Sequence, residues 1–157
     1  MSDASQPITF ATLLDRCRQI VIPQIQRDYA QGRDSEKEVR DAFLNALHAA
    51  LVLPPGHERS PLNLDFIYGS MEGRNDQSFL PLDGQQRLTT LFLLHWYLAW
   101  RDDRLAEFRG TILADGHSRF SYHVRPSSSE FFDELVQFSP PANPQLLPSM
   151  RTLLEDQ

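Results

Sequence analysis

Asp83-Gly84-Gln85-Gln86-Arg87 is the stretch of this sequence best equipped for chemistry. It joins a short apolar run, Ser78 to Leu82, to a long helical run that begins at Gln85. The first amides of a helix have no internal acceptor and carry a partial positive charge, so they attract anions. Gly84 lets the turn bend and lets a ligand come close to the backbone. Arg87 falls in the first helical turn, where its guanidinium can fork onto phosphate oxygens. Gln85 and Gln86 offer amide donors and acceptors that position a ligand or a water. Asp83 is the candidate metal carboxylate, holding Mg²⁺ by way of water. These are the parts of a phosphate cradle without the usual glycine-rich loop, since G-x-x-x-x-G-K-[ST] occurs nowhere in the chain. The same letters also describe an ordinary turn with an aspartate capping a helix.

A second polar cluster follows Val21-Ile22-Pro23: Gln24, Gln26, Arg27, Asp28 and Tyr29. Arg27 could give a second phosphate contact, and Tyr29 could stack on a base. The plain alternative is a solvated strand end with an Arg27–Asp28 pair. The other chemical side chains are less promising. Cys17 sits at core spacing and reads as a small apolar residue. His48 reads as exposed and His95 as a hydrogen-bonded residue of a buried helix. His57, His117 and His123 lack metal-ligand spacing, and no Ser–His–Asp or Cys–His arrangement is legible.

The elements that must hold these residues can be read from spacing. Thr9 predicts a helix cap, with Ile8 and Leu13 as a hydrophobic staple. Phe10, Leu13, Leu14, Cys17 and Ile20 then follow one helical face. Pro23 closes that segment into an extended stretch. Ser35 and Glu38 spell a capping box for a helix from about Glu36 to Leu51, stopped by Pro54-Pro55-Gly56. Leu62, Leu64, Phe66 and Tyr68 alternate as a strand, Gly69 to Gln77 as a hairpin-like connection, and Ser78 to Leu82 as a second strand. Pro81 predicts that this strand is not fully paired at its end. The helix from Gln85 to Arg101 has apolar residues on more than one face, which predicts burial from several sides. A short helix over Asp102 to Phe108, breaks at Gly110 and Asp115-Gly116, and a strand through Phe120, Tyr122 and Val124 follow. Ser127 and Glu130 open a last helix carrying Phe131, Leu135 and Phe138. Four prolines between Ser139 and Pro148 read as a linker, so the domain is predicted over residues 1–138, with 139–157 a linker and the start of a following helix.

The 157 residues carry a formal net charge of −6, which argues against a surface built mainly to grip DNA phosphates. One cysteine excludes a disulfide framework. No stretch suits a membrane span or a signal peptide, and a cytoplasmic location is expected.

Ile22-Pro23-x-x-Gln26-Arg27-x-Tyr29 followed by Asp83-Gly84-Gln85-Gln86-Arg87-Leu88-Thr89-Thr90-Leu91 resembles the N-terminal domain of GmrSD-type type IV restriction enzymes. Phe66-Ile67-Tyr68-Gly69-Ser70 also fits that family. The resemblance covers roughly residues 9–136. It implies an α+β fold of the ParB/sulfiredoxin kind: a small mixed sheet packed with helices, with one long buried helix after the Asp-Gly-Gln-Gln-Arg turn. It implies a nucleotide-binding and hydrolysing regulatory domain that uses a nucleoside triphosphate (GTP, CTP or ATP) and Mg²⁺. In such enzymes DNA is cut by a separate C-terminal nuclease domain or partner subunit, so DNA is met only indirectly, and this chain reads as the N-terminal piece of a larger protein. On that basis Asp83, Gln86 and Arg87 would be catalytic, and Gln26, Arg27, Tyr29, Gly84 and Gln85 would hold the nucleotide. A homo-oligomer is compatible with the resemblance. Two other readings stand beside it: a ParB-like DNA-binding module, and an interaction domain whose motif is structural.

Overall fold

The computed structural model describes residues 7–23, 34–54, 56–58, 62–73, 78–123 and 126–141, with the backbone alone at 126–129. Thr9 caps the first helix as its sequence predicts: its Oγ1 accepts from the Thr12 amide at 3.1 Å. This helix, α1 (Phe10–Arg16), is shorter than the apolar spacing suggests. Ile20 belongs instead to β1 (Gln19–Ile22). The helix end is set from far away in sequence, because the Arg119 side chain takes the carbonyls of Leu14, Cys17 and Arg18. Cys17 is buried, and its thiol donates to the Leu13 carbonyl at 3.2 Å. Burial pushes its pKa up, against a smaller opposing effect of the Arg119 charge, which disfavours the reactive thiolate.

The helix α2 (Lys37–Leu51) forms where expected, but the predicted capping box does not. Ser35 lies inside a 3-10 turn, Asp34–Glu36, and Glu36 precedes α2 without a side-chain cap bond. Leu47 is its one buried residue, while Val39, Leu44 and Leu51 are exposed.

The strand predicted over Leu62–Tyr68 is a coil, and the pairing strand β2 (Gly69–Glu72) lies where a connection was expected. Alternation failed here because Asp65 adopts φ +68°, with its Oδ1 accepting from the Phe66 amide at 2.9 Å. That kink turns Leu64 and Ile67 inward and leaves Phe66 and Tyr68 in solvent. Next come β3 (Ser78–Pro81) and α3 (Gln85–Arg101), both close to prediction. Pro81 lies beyond the last β1 partner of β3, Phe79, so its missing amide interrupts no pairing with β1. Burial in α3 concentrates at Leu88–Thr90 and Phe92, while Tyr97 and Leu98 are exposed. His95 is exposed too; its Nδ1 lies 2.7 Å from the Leu91 carbonyl.

The chain then forms α4 (Leu105–Ile112), which runs through Gly110 instead of breaking there. Asp115 (φ +54°) and Gly116 (φ +83°) make the two-residue turn between β4 (Leu113–Ala114) and β5 (His117–Ser118). After β6 (Phe120–Tyr122), α5 (Pro126–Gln137) starts with proline at its first position. It buries Phe132 and Val136, not Phe131 and Phe138.

The described residues thus form an α+β fold, with a small mixed sheet of order β2-β3-β1-β6 packed with helices. Strand β1 is parallel to both β3 and β6, and β2 is antiparallel to β3. Phe92 of α3 fills the centre of the core. Its ring stacks on Phe120 at 4.9 Å and meets Phe132 edge-on at 5.3 Å and Phe108 at 5.9 Å. No helix among the described residues is long and apolar enough to cross a membrane.

Candidate functional site

Because β1, β3 and β6 run parallel, their carboxyl ends share one end of the sheet. Ligands of open sheets with parallel strands gather at that end. Here β3 delivers Leu82-Asp83-Gly84 and then the first turn of α3. Strand β1 delivers Pro23, the last described residue before Gln24. The cluster Gln26, Arg27, Asp28 and Tyr29 lies outside the described residues.

Gly84 precedes α3 with φ +85°, a region open to glycine. A β-carbon there would stand 2.6 Å from Cγ1 of Ile67. The turn therefore demands glycine for two separate reasons. Asp83 does not cap the helix: the capping position is Gly84, which has no side chain to offer.

Asp83 instead pairs with Arg87 at 3.4 Å, one helical turn on. The Arg87 guanidinium is committed mainly to the chain before β2. Its Nη1 donates to the Leu64 carbonyl at 2.6 Å, and its Nη2 donates to the Phe66 carbonyl at 3.2 Å. Asp65 adds a second carboxylate 3.8 Å from Nη1. The loop is held from the other side as well, since the Leu82 and Asp83 amides both donate to the Tyr68 carbonyl, at 2.9 and 3.2 Å. Arg87 thus fastens the 64–68 segment onto the motif turn. Nothing in the local sequence announced this, because the acceptors are backbone atoms.

Two carboxylates against one guanidinium leave the turn with a net negative charge. Asp83 and Asp65 are both exposed, and both reach the same guanidinium. Mg²⁺ needs only one or two carboxylates when phosphate oxygens and waters complete its shell. The pair suits that role, and an all-protein cage is not available: the described residues contain no cluster of three metal-ligating side chains. Asp83 and Asp65 would hold the cation, whose chemical contribution would be to neutralise phosphate charge.

Behind the turn, Thr89 Oγ1 donates to the Gln85 carbonyl at 2.8 Å and lies 2.7 Å from the Tyr122 hydroxyl. This buried pair links the first turn of α3 to the carboxyl end of β6, and so fixes how the helix start faces the sheet. Tyr122 was visible in the sequence only as a strand residue.

The opposite end of the sheet holds a polar cavity of about 360 Å³ lined by Arg18, Gln19, Ser78, Asp115, His117 and Arg119. Its polar groups are already engaged with one another or with backbone. Arg18 pairs with Asp115, Gln19 Nε2 donates to Ser78 Oγ at 2.8 Å, and Arg119 is bound to four carbonyls. At its rim, Asp133 accepts from the Ser118 amide at 2.6 Å and lies 2.9 Å from His117 Nδ1. The hydrogen bond to Asp133, then its charge, raise the His117 pKa above the ordinary histidine value. Charged His117 is therefore favoured in the folded state. The pair supports the fold below the unfolded histidine pKa, and this support is lost as pH rises through the raised folded value. An NMR titration should find His117 above about 6.5, the ordinary value. Asp133→Asn should return it there; an unchanged titration in that variant contradicts the pairing.

The model of the GmrSD restriction endonuclease N-terminal domain matches residues 10–155. The chain belongs to this family. As a GmrSD N-terminal domain it is a part of a restriction or defence system, and the family's own description places it beside an endonuclease. The match spans α1 through α5 and continues beyond the Pro-rich stretch after Phe138. No curated protein and no solved structure matches the chain.

Proposed function

We propose that this GmrSD N-terminal domain is the nucleotide-responsive half of a modification-dependent restriction or anti-phage system. Its ligand would be a nucleoside triphosphate carried with Mg²⁺, seated at the start of α3. The observation that carries the reading is the position of that helix start. It follows a glycine turn with no side-chain cap, at the carboxyl end of parallel strands, beside the point where β1 leads toward Gln26, Arg27 and Tyr29. In this reading the amides of Gln85 and Gln86 receive phosphate, and Gln86 orients water. Arg27 supplies a further positive charge, Tyr29 contacts the base, and Asp83 faces the cation. Arg87 acts as a positioning residue that keeps Asp83 and the 64–68 segment in place. If hydrolysis occurs, charge neutralisation on the leaving phosphates is the main catalytic effect. Cleavage of DNA would belong to an associated nuclease.

Titration of labelled GTP, CTP and ATP into the full chain tests this. Saturable binding of at least one is expected, and chelation of Mg²⁺ should abolish it, since the net negative turn repels a bare triphosphate. Arg27→Ala should weaken binding by about tenfold or more, the worth of one charge-assisted contact. Failure of all three nucleotides to bind overturns the proposal.

A second reading is favoured by the two bonds from Arg87 to the Leu64 and Phe66 carbonyls. In it the motif is a structural staple and the domain serves contacts with other parts of the system. Arg87→Ala would then lower the melting temperature without any nucleotide response to lose.

A further inference from the structure

We propose that Phe66 and Tyr68 form a stacking platform for the base of a nucleotide whose phosphates lie at the start of α3. The inference rests on the nucleotide reading above and adds to it a site on a different segment. Phe66 is 69% exposed and Tyr68 54%, and no other large apolar residue described is more exposed than Phe66. Their ring centroids are 6.2 Å apart at 36°. Leaving two aromatic rings in water forfeits the stabilisation that burial would give them. Yet the segment carrying them is not loose. The Phe66 carbonyl is held by Arg87, the Tyr68 carbonyl by the Leu82 and Asp83 amides, and Ile67 between them is packed against Gly84 and the core. The rings are thus presented outward by the same atoms that build the motif turn.

Two relations choose the occupant. Phe66 O and Asp83 Oδ2 are both partners of one nitrogen, Arg87 Nη2, at 3.2 and 3.4 Å. The aromatic segment is therefore tied through one guanidinium to the turn proposed to take phosphate. The second relation is one of size: the segment offers two exposed rings, with the half-exposed Leu82 joined to Tyr68 through its amide. A protein partner covers roughly 800 Å² on each side, whereas a base needs one flat face. Stacking accepts any base, so this platform supplies affinity and leaves the choice of base to other groups. Arg87 gains a defined role from it, as the positioning residue for both the platform and Asp83.

The test compares Mg²⁺–nucleoside triphosphate with Mg²⁺–tripolyphosphate, which has no base, on the full chain. Phe66→Ala/Tyr68→Ala should weaken nucleotide binding by about tenfold or more, and should leave tripolyphosphate binding unchanged. Phe66→Trp/Tyr68→Phe, which keeps both rings, should hold wild-type affinity, and the new indole should be quenched when nucleotide binds. Equal nucleotide affinity in wild type and the double alanine variant overturns the platform while leaving the nucleotide reading intact. So does a loss confined to Tyr29→Ala, or a change of oligomeric state in place of affinity. A wild-type chain that binds neither probe overturns both.

Discussion

Arg119→Ala lowers the stability of the domain by about 3 kcal/mol, which corresponds to a melting temperature lower by roughly 6–12 °C for a chain of this size. The reason lies in what the guanidinium holds. Its Nε donates to the Arg18 carbonyl at 2.7 Å and Nη1 to Thr111 at 2.8 Å. Its Nη2 donates to Leu14 at 2.5 Å and Cys17 at 2.7 Å. Leu14 lies in the last turn of α1, Cys17 and Arg18 just beyond it, and Thr111 in the last turn of α4. Terminal helical carbonyls have no intrahelical donor and carry the negative end of the helix dipole, so one cation serves both ends. The Arg119 backbone also bonds to Ile112 and Ile20, which makes this residue the junction of α4 and β1. The individual bonds to charge would sum to more than the stated value, but the side chain is only half-buried and water replaces part of each. Arg119→Lys should recover less than half of the loss, because an ammonium lacks the planar fork. Thermal denaturation followed by circular dichroism reads both variants. A fall of less than about 1 kcal/mol for alanine contradicts the clamp.

Gly84→Val has a comparable effect, about 3 kcal/mol, from two sources that can be separated. A β-branched residue at φ +85° pays for the left-handed backbone, and its β-carbon meets Ile67 Cγ1 at 2.6 Å. Gly84→Ala carries both effects in milder form. Combining Gly84→Ala with Ile67→Ala should relieve the clash but not the backbone strain, giving a favourable coupling of about 1 kcal/mol in a double-mutant cycle. Additive losses would mean that Ile67 does not press on the turn. Because Ile67 lies between Phe66 and Tyr68, Gly84→Ala should also disturb the aromatic segment, with nucleotide affinity falling alongside stability.

The sequence spoke most clearly where causes are local. Thr9 capped its helix, α3 began at Gln85, and Asp115-Gly116 formed its turn, because each depends on a few adjacent side chains. Two of the misreadings involve a distant residue. The end of α1 is set by Arg119, about a hundred positions later, and the apolar rhythm that seemed to continue through Ile20 was a strand beginning. Leu62–Tyr68 alternates in letters, but Asp65 breaks the extension and Arg87 captures the carbonyls that a neighbouring strand would need. The candidate site divides along the same line. Asp83, Gly84 and Arg87 were legible as a unit. The use of Arg87 to anchor Leu64 and Phe66 was not, because backbone acceptors leave no mark in a sequence. The exposed pair Phe66 and Tyr68 had been assigned to a strand face for the same reason.

The central claim is that phosphate is received at the first turn of α3. Its most direct test is the amide NMR spectrum of the full chain as Mg²⁺–nucleoside triphosphate is added. The account predicts that the largest saturable shifts fall on Gly84, Gln85, Gln86 and Arg87. Shifts concentrated instead around Arg18, Ser118 and His117, or none at saturating nucleotide, would contradict it.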